Sequence, residues 1–443
     1  MTCHVRSPRF PALLTWLAAF ILAGAAGAQE KASFRPTGAL DLRTLGEWVA
    51  RRSSRVQGDL VALDAAQTEV AQARLYGNPQ LDGSWATIPV GPTNPEGVSS
   101  RLTSIPSYGL GISYTFLIGK RGPRQRRAAA TVDSDRATVA ATTRAQALEL
   151  ARLLGEMAVA SLRVAGLSEL VEQQKGSITL AETRVTAGLG TPLDVDRLQI
   201  ERSRTEQQVL SNEIDLRRAQ AACSALLALR CETFADTDAA RTYLAAWTRR
   251  AEIATPAFER RPDLVALDAA RRAALADADL AAATAIPDPT VRLGYLYDQF
   301  TLAGNQRHSV NLTVSIPLPS FDTGAVQRSG ALVHEARLSA QRSRLVAGAE
   351  ARVASLREVL ASQKGRRDML LRDMLPKARL VVLDLEKAAN ARLIPLTDVI
   401  QARRTLNELL VQEAETQGDA FETSLDLLAE TSSEADASGP RAP

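Results

Sequence analysis

The octapeptide DLVALDAA occurs twice in this chain, at Asp59–Ala66 and, 204 residues later, at Asp263–Ala270. Eight identities in a row do not easily arise by chance, and self-similarity at a fixed offset indicates a duplicated architecture. In each half an Ala-rich helical stretch follows the octapeptide, then a strand led by a proline, a second strand and a helical segment of about 65 residues. Each half is therefore predicted to run helix, strand, strand, long helix, turn, helix.

The strands of both halves alternate between apolar residues and small or polar ones, which is typical of a sheet with one apolar face. They are predicted at about 78–87, 107–117, 289–300 and 308–318. Amphipathic rings fall in these strands, as they would at a lipid interface. The residues predicted to face lipid are Trp85, Tyr108, Leu110, Ile112, Tyr114, Phe116, Tyr295, Tyr297, Val310, Leu312 and Val314. A small soluble sheet packed on the helices is the alternative.

Four strands are too few to close a barrel, because about eight is the smallest number whose interior side chains fill the lumen. If these strands cross a membrane, several chains must pool them. Closed symmetry then gives a dimer of eight strands or a trimer of twelve, with no edge left unpaired in lipid.

The N-terminus predicts export. Residues 1–28 contain Arg6 and Arg9, an apolar run from Pro11 to Ala23, and small residues before Gln29, which is the layout of a secretory signal peptide. An anchor helix is the alternative, although the run falls short of the roughly 20 residues that span a bilayer. No later stretch reaches that length, so the mature chain is expected to be periplasmic, secreted or inserted in the outer membrane through β-strands.

Composition excludes several classes of function. The 53 Lys and Arg nearly balance the 50 Asp and Glu, so the chain lacks the basic excess of a nucleic-acid binder. The three His and three Cys have no metal-ligand spacing, and no phosphate-binding GxxxxGK[ST] motif is present. His308 and His334 are interpreted as surface residues. We therefore predict no catalytic residues, no cofactor and no metal site, and hence no enzyme.

Two cysteines, Cys223 and Cys231, remain after removal of the signal segment that holds Cys3. An oxidising compartment permits a disulfide between them, but their spacing fits two unpaired, partly buried thiols as well.

The helices carry a coiled-coil pattern. In the long helix predicted at about 120–186, apolar residues recur every seven positions, and the one predicted at about 324–389 echoes this. Pro376 is expected to bend the second helix rather than end it, since the pattern continues beyond it. The first helix shows its repeat at Leu150, Met157, Val164, Val171, Ile178 and Val185.

Both long helices stop at turns rich in Gly, Asn and Pro, at 187–193 and 390–396, and further helices are predicted at about 194–229 and 397–430. Asp194 and Asp398 fall in or near the first turns of those helices, where a carboxylate suits the positive end of the helix dipole. Helix capping is therefore one explanation for both aspartates.

The order of elements, the duplication, the sequence Arg261-Pro262-Asp263-Leu264 and the turn Ala187–Val195 (AGLGTPLDV) resemble the outer-membrane efflux proteins of the TolC-like family, over about Leu40 to Leu428. Within that family, Gly119–Arg124 (GKRGPR) and Ile316–Pro319 (IPLP) with the following Phe321-Asp322 resemble the branch that serves cobalt, zinc and cadmium resistance pumps.

The resemblance implies a mainly α fold with β: a homotrimer whose twelve strands form one outer-membrane barrel and whose helices form a periplasmic tunnel. It divides the chain into a first repeat at 29–259, with a mixed equatorial region at about 230–259, a second repeat at 260–430, and a disordered tail at 431–443. The implied function is the outer-membrane channel of a tripartite efflux system of the resistance-nodulation-division type, a passive exit for heavy-metal cations. A general drug-efflux or type I secretion channel is the alternative within the family.

The resemblance also implies site residues and partners. The partners are outer-membrane lipid, a periplasmic adaptor and an inner-membrane pump, with no nucleic acid. The gate is assigned to Asp194, Arg392 and Asp398, with Gln401 standing where the family has a second acidic residue. The adaptor would contact Gly188, Leu189, Gly190, Thr191, Pro192, Leu393, Ile394 and Pro395. From another class, a soluble periplasmic coiled-coil scaffold remains the alternative hypothesis.

Overall fold

The structure is a computed structural model that describes residues 33–37, 40–88, 100, 106–255, 257–299, 306–391 and 393–431. The signal segment predicted at 1–28 and all of the predicted tail except Thr431 lie outside the described residues. So does Arg392.

The two halves have matching element orders. The first contains β1 (Ser33–Phe34), α1 (Leu42–Arg52), α2 (Ser54–Arg74), β2 (Gln80–Ala86), β3 (Ser107–Thr115), α3 (Arg121–Thr186) and α4 (Pro192–Leu227). Between the halves lie β4 (Arg230–Cys231), α5 (Thr237–Ile253) and a short 3-10 turn (Phe258–Arg260). The second contains α6 (Pro262–Thr284), β5 (Thr290–Tyr297), β6 (His308–Ser315), α7 (Ala325–Val346), α8 (Ala349–Met369), a π turn (Leu370–Met374), α9 (Leu375–Asn390) and α10 (Leu396–Glu430).

The long helix of the second half is not continuous, so the prediction of one helix over 324–389 is wrong. Whereas α3 runs unbroken for 66 residues, the second half breaks at Ala347, which is extended, and at Gly348, which has φ +81°. A left-handed residue cannot continue a right-handed helix, and glycine adopts this conformation at little cost. The helical path does continue past Pro376, through the π turn that precedes it. The wider π turn accommodates the helical hydrogen bond that is missing because proline has no N–H to donate.

Four strands form one antiparallel sheet in the order β2-β3-β5-β6, so the inner strands of the two halves pair with each other. The register sets Leu110 opposite Tyr295, and Tyr295 opposite Val310. Directly paired residues point to the same face of a sheet, so the apolar residues of the four strands lie together on one face.

The main hydrophobic core lies where α1, α3, α5, α8 and α10 meet, about the middle of the long helices. Aromatic side chains of α5 and α10 fill it, and the hydroxyl of Tyr243 donates a hydrogen bond to the carbonyl oxygen of Ala151 at 3.0 Å. None of the helices among the described residues has a stretch long and apolar enough to cross a membrane.

A disulfide closes one side of this core. Cys223, near the end of α4, is bonded to Cys231 of β4, with a Cα–Cα distance of 6.0 Å. The bridged strand β4 pairs in parallel with β1, which places Phe34 in the core. The spacing of the two cysteines did not decide between a disulfide and two free thiols. The fold does, because it brings both side chains into the same buried cluster.

The end of α10 is tied to the beginning of the second half by charges. Arg261 donates hydrogen bonds to Asp263, at 2.8 Å, and to Glu430, and Arg352 pairs with Glu430 at 2.9 Å. Burial alone would raise the pKa of Asp263, but the hydrogen bond and the charge of Arg261 outweigh it and lower that pKa below its ordinary value.

Candidate functional site

One face of the four-stranded sheet is apolar and exposed. On β6, Val310 is 72% exposed and Leu312 is 68% exposed, and the paired positions on β3 and β5 are exposed as well. A monomeric soluble protein rarely leaves a contiguous apolar surface of this kind uncovered. Of the residues predicted to face lipid, only Tyr114 and Tyr297 are half-buried. The exposed ones are Trp85, Tyr108, Leu110, Ile112, Phe116, Tyr295, Val310, Leu312 and Val314.

Aromatic side chains mark both ends of this face. Toward the helices, the rings of Tyr114 and Phe116 lie edge to face with their centroids 4.8 Å apart. At the opposite end, mutually paired residues from all four strands form a single aromatic row, which consists of Trp85, Tyr108, Tyr297 and His308.

The other face of the sheet is polar. Arg292 of β5 reaches across β3 to Asp82 of β2, with 3.5 Å between the guanidinium and carboxylate atoms, and Ser113 donates a hydrogen bond to the same carboxylate at 2.9 Å. Gly111 makes this crossing possible, because a Cβ at this position would come within 3.0 Å of the Arg292 Nε. The sheet therefore separates an apolar surface from one that can face water.

Both outer strands of the sheet leave an edge unpaired within the described part of the chain. β2 pairs only with β3, β6 pairs only with β5, and every residue of β6 is exposed. Since unpaired backbone groups cannot face lipid, a membrane location would require further strands at both edges.

The first helical tip, between α3 and α4, is built by a glycine. Gly188 has φ +69°, and the Leu189 N–H donates to the Arg184 carbonyl at 2.8 Å while the Gly188 N–H donates to the Val185 carbonyl at 2.9 Å. This pattern of paired bonds is a Schellman cap, which closes a helix and turns the chain sharply. Residues 187–193 project from the end of the hairpin and are exposed.

The second tip, between α9 and α10, repeats the first at the same offset of 204 residues. The Leu393 N–H donates to the Ala388 carbonyl at 2.9 Å, the counterpart of the bond made by Leu189. Leu393 is 77% exposed, Pro395 is exposed and Ile394 is half-buried. The two tips therefore have equivalent closures although their sequences differ.

The structure brings the two tips to the same end of the molecule. Ile400 at the start of α10 packs with Ile178 and Leu198 of the first hairpin, and Arg404 pairs with Glu201 at 2.7 Å. The hydrogen bond and the charge of Glu201 raise the pKa of Arg404 above its ordinary value. A groove of about 970 Å³ runs between the hairpins and opens at the tips, where Leu189 lines it.

The predicted gate residues lie at this end without meeting one another in the described part of the chain. The carboxylate of Asp194 accepts a hydrogen bond from the Thr191 hydroxyl at 2.7 Å, within the first turn of its own helix. Asp398 and Gln401 are exposed at the start of α10. Arg392, the proposed partner of Asp194, lies outside the described residues, so the pairing is not tested.

Sequence reasoning missed the charges between the tip helices. Arg403 is 9% exposed and donates to Glu386 of α9 at 3.0 Å, while its neighbour Arg404 reaches Glu201 of α4. The signal was present as two adjacent arginines within an apolar helical repeat, where one of them has to be buried. Among the described residues no group of His, Cys, Asp and Glu is arranged to hold a metal ion.

The outer membrane efflux protein family model matches residues 50–229, which make up most of the first half. No curated protein matches the chain in sequence.

Solved structures match nearly the whole chain in fold. The outer-membrane channel OprN is 18% identical with a TM-score of 0.68, over 90% of each chain. CusC, whose crystal structures concern its folding and transmembrane channel formation, is 14% identical with a TM-score of 0.68, over 90% of this chain and 96% of its own. VceC, an outer membrane protein from Vibrio cholerae, is 18% identical with a TM-score of 0.65, over 88% of this chain and 95% of its own.

These comparisons confirm the resemblance to outer-membrane efflux proteins that the sequence indicated, and they show a mainly helical fold with a sheet, as in TolC-like channels. The matched proteins are channels rather than enzymes.

Proposed function

We propose that this chain, whose first half carries the outer membrane efflux protein domain, is the outer-membrane channel of a tripartite efflux system of the resistance-nodulation-division type. The observation that carries the proposal is the four-stranded sheet with one exposed apolar face and one polar face. A nine-residue strand such as β3 is roughly 30 Å long, which suits the apolar thickness of a bilayer. The aromatic row at the far end of the sheet and the Tyr114–Phe116 pair lie where such barrels carry aromatic girdles.

The proposed assembly is a homotrimer. Three copies would join β6 of one chain to β2 of the next, giving a closed barrel of twelve strands with no unpaired edge. The strand order supports this closure, because β2 and β6 run in opposite directions and would pair antiparallel, as all other strands of the sheet do. The polar face would then line the lumen, and the helices would continue it as a periplasmic tunnel.

The exposed tips are the proposed docking site for the periplasmic adaptor. Leu189 and Leu393 project at equivalent positions of the two hairpins, so each chain presents two similar apolar contacts, and Leu189 also lines the groove between the hairpins. Replacing Gly188 and Gly190 together by bulky residues should abolish export, because Gly188 has a positive φ that other residues adopt only with strain. Normal export by a correctly assembled variant would remove these residues from the contact.

The proposed gate consists of Asp194, Arg392 and Asp398. Three copies of Asp398 around one axis would raise the local negative potential and favour cations, in keeping with heavy-metal cations as the exported substrate. Gln401 adds no charge to this ring. If Asp194 and Arg392 hold the mouth shut, replacing both by Ala should raise single-channel conductance in a planar bilayer, and unchanged conductance would count against the lock.

Fractionation tests the central proposal. The full chain should remain with outer membranes after osmotic shock, require detergent for release, and form conducting channels when reconstituted into a planar bilayer. A soluble coiled-coil scaffold would instead be released by shock as a water-soluble protein, and that outcome would overturn the proposal. Energy for transport would come from the inner-membrane pump.

A further inference from the structure

A cluster of cations lies where the sheet passes into the helices of the first half. The segment Gly119–Arg127 carries five basic residues, and two of them are neutralised: Lys120 by Asp288 at 2.7 Å, and Arg127 by Asp277 at 2.7 Å. The other three have no carboxylate within 4.0 Å in the described part of the chain, and neither does Arg74 at the end of α2. We call Arg74, Arg121, Arg124 and Arg126 the basic collar.

Contacts with the protein hold part of the collar in place without neutralising it. The guanidinium of Arg121 lies 4.0 Å from the centre of the Tyr76 ring and donates to the Arg74 carbonyl at 3.3 Å. Arg124 donates to the Gln72 carbonyl at 3.2 Å. The first turn of α3 contains no acidic residue that could compensate these charges. The collar therefore gathers positive charge on a surface that the chain itself does not balance.

An exposed apolar belt adjoins the collar. It follows β3 directly along the chain, and it includes the first residues between α2 and β2. Apolar side chains beside guanidinium groups suit a membrane interface, because the former enter the acyl region while the latter reach the headgroups. The belt consists of Leu75, Tyr76, Phe116, Leu117 and Ile118, all of them exposed.

The duplication provides an internal comparison. At the equivalent passage from β6 into α7, the segment 323–331 contains one basic residue, Arg328, where Gly119–Arg127 contains five. The turn there is stabilised by Asp322, whose carboxylate accepts a hydrogen bond from the Gly324 N–H at 3.0 Å. A strand can thus pass into a helix in this fold without a cluster of cations. The collar is therefore a feature of the first half alone, and the shared architecture does not explain it.

We infer that the basic collar binds the phosphate groups of anionic phospholipids at the periplasmic boundary of the membrane, an inference that rests on the proposed outer-membrane location. Arginine binds phosphate through paired N–H donors, and each cation at a membrane surface adds to the attraction. In a trimer, three collars would form a ring of positive charge below the apolar band. That ring would fix the depth of the channel in the bilayer.

The test compares lipid binding by the detergent-solubilised full chain. Titration with phosphatidylglycerol in mixed micelles should show at least ~10-fold tighter binding than titration with phosphatidylcholine, since each arginine at an anionic surface adds to the attraction. Replacing all four collar arginines by Gln should remove this preference. Arg126→Gln alone should weaken it in part. Arg126 makes no hydrogen bond or ion pair in the described part of the chain, so this variant leaves the contacts of the fold intact.

A matched control removes the same charge far from the sheet, by replacing Arg217, Arg218, Arg372 and Lys377 with Gln. This control should keep the full preference for phosphatidylglycerol. Unchanged preference in both collar variants would overturn the inference, and so would competition by inorganic phosphate at concentrations equal to those of the lipid, which would indicate a free-anion site. Release of the wild-type chain by osmotic shock would instead contradict the proposed outer-membrane function. Failure of the lipid-binding inference and failure of the proposed function are therefore distinguishable.

Discussion

At one position of the core, the close approach of α3 and α10 requires a glycine, Gly155. The ring of Phe421 from α10 lies directly over Gly155 of α3, so a Cβ on Gly155 would come within 2.0 Å of a ring carbon. Alanine normally stabilises a helix relative to glycine by up to ~1 kcal/mol. At Gly155 the clash should reverse this sign, since overpacking of a dense core costs about 1–3 kcal/mol. We expect Gly155→Ala to lower the midpoint of thermal unfolding.

Gly166 of the same helix is the matched control, because a Cβ there would meet nothing within 4 Å. Gly166→Ala should leave the midpoint unchanged or raise it. Equal effects of the two substitutions would show that helix propensity, and not the contact with Phe421, governs the response.

The charges that join α10 to α6 make a second prediction at this scale. Because the pKa of Asp263 is lowered in the folded chain, its carboxylate contributes stability that is fully present above the ordinary aspartate value of 3.8. That contribution is lost as the pH falls through the lowered folded value. Asp263→Asn should therefore destabilise the chain at neutral pH, and its unfolding midpoint should approach that of the wild type in strong acid. A difference that stays constant with pH would contradict the assignment.

At the scale of elements, the sequence predicted most where the pattern was long and periodic. The heptads of α3, the alternation of β3 and the repeated octapeptide each combine many residues, so local exceptions such as Gln174 did not obscure them. The break at Gly348 was missed because it depends on the backbone of one residue inside a continuing apolar repeat. The adjacent arginines of α10 indicate a buried cation, but the pairing of Arg404 with Glu201 was missed because that partner lies 203 residues away in the sequence.

The disulfide makes a prediction for β4 and β1 together. Because it closes a short loop, the bridge between Cys223 and Cys231 should contribute about 2–3 kcal/mol by restricting the unfolded chain. Reductant should lower the unfolding midpoint of the wild type and speed proteolysis near Phe34, which pairs with β4. The variant with both cysteines replaced by Ala should already have the lower midpoint and should not respond to reductant. An unfolding midpoint of the wild type that does not change when the chain is unfolded and refolded in reductant would contradict this role.

The two halves of the molecule give the same architecture but not the same chemistry. The tips are closed by equivalent backbone bonds, and the strands pair across the duplication in one sheet. Only the first half carries the collar, and only the second has a broken long helix. Duplication therefore explains the fold, whereas the charged surfaces and helix breaks differ between the two halves.

The open edges of the sheet make the final prediction, which concerns the whole assembly. If copies pair β6 with β2, cysteine at Ser84 combined in turn with cysteine at Ser309, Asn311 or Thr313 should cross-link neighbouring chains on oxidation, because all four residues lie on the polar face and on the two edge strands. At least one pair should yield covalent trimers in denaturing gels of membrane-extracted protein. Ser113, on the inner strand β3, serves as the control when it replaces Ser84, and it should give no cross-linked chains. A largest product of two chains would indicate eight strands rather than twelve, and monomers in every combination would contradict a shared barrel.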